Sequence, residues 1–276
     1  MAIEYRPGLF PGQKIDLSPF EKPRREPRPE SYLPLLRQEL ESLKREINRQ
    51  YGDFLLPDGK INLVGPEAEK HQELVDAQEE GWSREARRTR ADWLRERDRN
   101  PAEIAEMALT VVFHKILGER FIVCRASKYD DYNNGLDQLL IDKESGDVLC
   151  GFDEVLSGSG QDGGLKKEGK MKRIREKGGA SLEYGAAIEQ GKLVRQSLKN
   201  VPAFYLALDK KELLALLEAI KADEEKVSPA EAVIFGKLLI SLEEQAAAAG
   251  GNWALKAKTN LVLEKLKDSL VSRAAA

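Results

Sequence analysis

Between residues 101 and 156 the sequence spells one helix and then three strands, separated only by short polar stretches, and this run constrains the fold more than any other feature. NPAEIAEMALTVVFHKILGER opens with Asn100, a side chain suited to capping free helix N–H groups. Pro101 follows, in the first turn where its missing N–H does no harm, and Gly118 marks the stop. FIVCRAS is then a β-branched run, KYDDYNNG a polar loop, LDQLLID a second strand, KESGD a turn and VLCGFDEV a third strand, the last two forming a hairpin. After the flexible loop SGSGQDGG, the segment LKKEGKMKRIREKGGASLEYGAAIEQGKLVRQSL is expected to be helical with a break at Gly178-Gly179. VPAFYLALD supplies a fourth strand and KKELLALLEAIKA a closing helix. The expected fold class is α/β, with the order αβββαβα over residues 101–220.

The flanks read differently. Residues 1–30 carry Pro7, Pro11, Pro19, Pro23, Pro27 and Pro29, which repeatedly block regular hydrogen bonding, so an extended arm is expected there. Such an arm orders most readily on a partner protein. From residue 31 to 100 the pattern is mainly helical. Leu33, Leu36, Leu40, Leu43 and Ile47 recur at three- and four-residue steps, and Tyr51-Gly52 ends that run. Asp58-Gly59, between two short apolar stretches, predicts a small hairpin. Residues 66–99 predict a polar helix or helical pair, and because Asp and Glu interleave with its arginines, ion pairs on a solvated face account for the charge. The last part, 221–276, predicts two further helices divided by AAAAGGN.

The chain has 276 residues, 41% of them hydrophobic, enough to bury a proper core. Charged residues make up 33%, yet the net charge is only -3, so a nucleic-acid partner requires a local basic patch. Residues 166–177 form one, with seven Lys and Arg against two Glu. Cys124 and Cys150 lie inside strand-like runs and read as buried thiols. No apolar run reaches the ~20 residues of a membrane helix, and no secretory leader is visible, so the cytoplasm is the expected compartment.

Chemistry concentrates on carboxylates. Side chains alternate along a strand, so of Asp153 and Glu154 only one faces a given site. The KESGD hairpin sets Asp137 roughly level with Asp153 on the neighbouring strand, and two carboxylates at that range are unfavourable unless a cation neutralises them. Mg²⁺ or Mn²⁺ is the expected cation. Glu103 and Glu106 lie one turn apart on the preceding helix, and Glu106 is the favoured additional ligand.

This arrangement resembles the core of the PD-(D/E)XK nuclease superfamily, with Gly135-Leu136-Asp137 at the second strand and Asp153 near the end of the third. The resemblance covers residues 101–220 and implies a restriction-endonuclease-like core with mainly helical N- and C-terminal extensions. It further implies metal-dependent phosphodiester hydrolysis on DNA or RNA, with Asp137 and Asp153 holding the metal and Glu106 assisting. The family's lysine position is Val155 here. Lys166 and Lys167, at the start of the next helix, are the replacements expected to position the attacking water, with Lys170 one turn on. Lys166, Lys167, Lys170, Lys172 and Arg173 are the expected nucleic-acid contacts. The alternative is a nuclease-like fold without catalysis, serving as a nucleic-acid- or protein-binding scaffold. His71 and His114 are too isolated for histidine chemistry and read as structural or surface groups. Asp130, Asp131 and Asn133 fit turn chemistry as well as they fit cation binding.

Overall fold

A computed structural model describes residues 27–156, 178–222, 226–247 and 253–274, together with Gly169, Lys172 and Glu176; side chains are described as far as residue 269. It is a mixed α/β protein. Helix α1 (Leu33–Tyr51) follows a short 3-10 turn and is itself followed by α2 (Ala68–Glu85), α3 (Arg90–Arg97) and α4 (Pro101–Leu117). Next come β1 (Phe121–Arg125), α5 (Lys128–Asn134), β2 (Gln138–Asp142), β3 (Val148–Leu156), β4 (Ala180–Glu189), β5 (Lys192–Val201) and β6 (Ala203–Leu208). Helices α6 (Lys210–Lys221), α7 (Pro229–Ala247) and α8 (Trp253–Ala274) complete the described chain. Among the described residues no helix is long and apolar enough to cross a membrane.

The central sheet has the order β1-β2-β3-β6. Its first three strands form an antiparallel meander, and β6 runs parallel to β3. Alternation divides each strand between two cores. Phe121, Val123, Leu140, Cys150, Phe152, Phe204 and Leu206 pack against α4, α6 and α7, while Ile122, Cys124, Leu139, Ile141 and Ala203 meet the β4–β5 hairpin and the second half of α1. Both cysteines are buried and free. Polar ties fix the helical layer: Lys115 of α4 reaches Glu231 of α7 at 2.9 Å, and Lys265 of α8 reaches Asp142 of β2 at 2.5 Å.

Helix α4 is built as its sequence implies, with the Asn100 side chain accepting from the Ala102 N–H and Pro101 in the first turn. The three strands after it, the fourth strand at 203–208 and the helices on either side also stand where the pattern puts them.

Two segments depart from expectation. Residues 180–201, expected to be helical, form the β4–β5 hairpin, paired from Ala180↔Val201 to Glu189↔Lys192. Gln190 and Gly191 are its two-residue loop, with φ of 49° and 76°, the left-handed pair that matches strand twist. Ala180, Leu182, Tyr184 and Ala186 then alternate into the core, a period of two that the flanking charges obscure. KYDDYNNG, expected to be a loop, is helix α5: Ser127 caps it by accepting from the Asp130 N–H, and Gly135 at φ 66° ends it in the left-handed conformation that disfavours a Cβ. The N-terminal arm up to residue 26, the glycine loop and most of the following basic segment lie outside the described residues.

Candidate metal centre

The carboxylates gather where the last residue of β1, the first of β2 and the later part of β3 meet the N-terminal half of α4. Arg125 closes β1 with its side chain on the α4 side, only 2% exposed, and its guanidinium bonds to Glu103 and, at 2.8 Å, to Glu106. The neighbouring Lys60 arrives from far along the chain. Gly59, at φ 76°, turns the segment so that Lys60 bridges Arg125 in parallel, with Arg125 N–H donating to Gly59 O (2.9 Å) and Ile61 N–H to Arg125 O (3.0 Å). The Lys60 ammonium is 2% exposed and donates to Asp131 Oδ2 of α5 at 2.8 Å. Arg97, at the end of α3, lies 3.3 Å from both Glu103 and Asp131.

Carboxylate oxygens of Glu106, Asp131 and Asp137 lie within 4.8 Å of one another. Asp137 precedes β2 and is held across the hairpin: its N–H donates to Phe152 O (2.7 Å), and its Oδ2 accepts from the Glu154 N–H (2.7 Å). Gln138 lies 2.6 Å from Thr110 Oγ1 and, oriented to satisfy both ends of its amide, donates to Glu154 Oε1 at 3.3 Å. Glu154 therefore shares the α4 side with Phe152. Asp153, 2% exposed, shares the other side with Gly151, and its repulsion on Asp137 is weaker than that of Glu154.

Three cations, Lys60, Arg97 and Arg125, thus stand among five carboxylates, those of Glu103, Glu106, Asp131, Asp137 and Glu154, in a nearly dry space. Burial and the adjacent Glu103 push the Glu106 carboxyl up to about 7, against the pull of Arg125. Burial, then Glu106 and Asp131, hold Asp137 well above the usual carboxylate range. Asp131 stays low because Lys60 and Arg97 outweigh its burial, and Glu103 stays low because Arg125, Lys60 and Arg97 do the same. Burial and Arg125 pull the Lys60 ammonium down, but Asp131, Glu103 and Glu106 together raise it above its ordinary value. Burial and mutual repulsion thus favour the proton on Glu106 and Asp137, while the three cations favour the ionised forms of Glu103 and Asp131.

Of the residues that the sequence marks for the metal, Glu106 and Asp137 come together; Asp153 is on the adjacent strand outside that trio. Lys166, Lys167, Lys170 and Arg173 lie outside the described residues, and Lys172 is exposed. Asp131, for which the sequence leaves turn chemistry and cation binding equally open, completes the trio, and Lys60 and Arg125 join it without having been marked at all. Asp130, beside Asp131, serves the fold: fully buried, it accepts from the Glu183 N–H (2.8 Å) and Tyr184 N–H (2.9 Å), tying α5 to β4. His71 is likewise structural, bonded to Tyr184 Oη at 2.9 Å and stacked on Tyr129. No protein-family model matches the chain, and no curated protein or solved structure matches it.

Proposed function

We propose that the protein is a metal-dependent nuclease of PD-(D/E)XK type, hydrolysing phosphodiester bonds in DNA or RNA. The observation that carries this reading is the convergence of carboxylate oxygens of Glu106, Asp131 and Asp137 within 4.8 Å of one another. An all-carboxylate donor set suits Mg²⁺ or Mn²⁺. Oxygens around such an ion are roughly 3 to 4 Å apart, the scale of this trio. The order α4, β1, β2, β3, β6, with β6 parallel to β3, supports a restriction-endonuclease-like core.

Glu106, Asp131 and Asp137 are the residues that would hold the ion, with Glu154 fixing Asp137 through its backbone N–H. A bound Mg²⁺ or Mn²⁺ supplies Lewis-acid stabilisation of phosphate charge and a more acidic water. The chain's own contribution is electrostatic. Val155 stands where the family places its lysine, and Lys60 is the buried ammonium that the described residues bring to the cluster. Released from Asp131, it would offset negative charge developing on phosphorus. Arg125 pairs with both Glu103 and Glu106 and so ties these α4 carboxylates to the end of β1.

The test is cleavage of end-labelled single- and double-stranded DNA and RNA with Mg²⁺ or Mn²⁺. Cleavage by the wild type that Asp137→Asn and Glu106→Gln abolish is expected. A wild type that cuts none of these substrates overturns the nuclease reading. One observation favours a second reading, a binding scaffold without catalysis: Arg125, Lys60 and Arg97 already neutralise much of the carboxylate charge. Metal-independent binding with no cleavage is its signature.

A further inference from the structure

A cavity of 880 Å³ lies between α3 and the start of α4 and meets this cluster at Arg97, and a shallower, more open one adjoins it over the α2–α3 loop; Arg88 and Asp92 line both. Six arginines line the pair: Arg84, Arg87, Arg88, Arg95, Arg97 and Arg99. Against them stand Glu30, Asp92 and Glu96, so the walls carry an excess of three positive charges in a chain whose net charge is -3. Arg88 pairs with Glu96 and Arg95 with Asp92, as interleaved charges predict. Arg84, Arg87 and Arg99, however, make no ion pair with any described residue and are exposed to the solvent. Trp93 lines the larger cavity, half-buried, and packs on Trp82 at 5.7 Å.

We propose that these two cavities form a groove that binds single-stranded nucleic acid and leads it to the carboxylate cluster. This rests on the nuclease reading and adds to it the substrate class. Uncompensated arginines contact phosphates without reading sequence, and Trp93 offers a ring to an unstacked base, which a duplex does not present. Arg97 joins the two sites, since it lines the cavity and lies 3.3 Å from Glu103 and Asp131. A backbone laid along the arginines therefore reaches Arg97, which contacts Glu103 and Asp131 of the cluster.

The experiment is fluorescence anisotropy of a labelled oligothymidylate with the full chain in EDTA, where nothing is cleaved, as a function of salt. The variants are Arg87→Gln with Arg99→Gln, both exposed, and separately Trp93→Leu, each checked for native circular dichroism. Each single-strand phosphate contact contributes roughly 0.7 to the slope of log affinity against log salt, so the double variant is expected to lose about 1.4 of slope and about tenfold in affinity. Trp93→Leu is expected to weaken binding with the slope unchanged. Unchanged affinity and slope in the arginine variant, or tighter binding of a duplex of the same length, overturns the groove. Groove-dependent binding without any cleavage in Mg²⁺ sinks the nuclease reading but leaves the groove; cleavage untouched by the arginine variant does the reverse.

Discussion

Replacing Arg125 with methionine keeps most of the side-chain volume and removes the charge that Glu103 and Glu106 share. Arg125 is 2% exposed, and the two carboxylates are 11% and 13% exposed, so neither can recruit much water in its place. Removing one partner of such a buried pair generally costs about 3 to 5 kcal/mol, because a charge is left behind uncompensated. Lys60 and Arg97 remain nearby and moderate the loss, and so does the proton on Glu106. The sign follows from that proton. The Glu106 midpoint in the fold, about 7, lies above its ordinary value of 4.5, so its contribution is complete below 4.5 and is lost as pH rises through 7. Without Arg125 the folded midpoint rises further, and the loss continues to higher pH. Arg125→Met is therefore expected to destabilise the metal-free protein by roughly 3 kcal/mol at pH 6 and about 1 kcal/mol more at pH 8, where wild type has already ionised Glu106. Urea unfolding followed by circular dichroism at the two pH values measures both numbers. A loss below about 1 kcal/mol, or one that does not grow with pH, refutes the buried network as described.

Two further outcomes follow from the same geometry. In EDTA the stability of wild type relative to Glu106→Gln is expected to fall by roughly 2 to 3 kcal/mol between pH 5 and pH 8, read from paired urea titrations, because only the carboxyl titrates. Gly135→Ala forces a Cβ into the left-handed end of α5 and is expected to lower stability by about 1 kcal/mol and, by shifting Asp131 and Asp137 on either side, to weaken metal binding in calorimetry.

How far the sequence reveals the site depends on separation along the chain. Asn100, Pro101 and Gly118 announce α4 locally, and the meander follows from apolar runs joined by short turns, so Glu106 and Asp137 can be picked out as acids at the right element ends. Asp131 is obscured because Ser127 and Gly135, the two caps of α5, also fit a loop. The β4–β5 hairpin is obscured because Gln190-Gly191 is a less familiar left-handed turn pair than Asn-Gly. Lys60 and Arg125 carry no local signal at all. Their meeting is a parallel bridge between segments 65 residues apart, and an arginine that ends an apolar strand reads as a surface boundary until α4 is known to cover it. The choice between Asp153 and Glu154 likewise turns on which sheet face α4 occupies, a tertiary fact that alternation alone cannot supply.

The most direct measurement is calorimetric titration of Mn²⁺ into the full chain at pH 7.5, repeated in two buffers of different ionisation enthalpy. One saturable site is expected, with partial proton release from Glu106, whose midpoint near 7 leaves some of it protonated at this pH, and with binding lost in Asp137→Asn. No saturable binding, or equal binding by Asp137→Asn, contradicts a divalent-cation centre built on these three carboxylates.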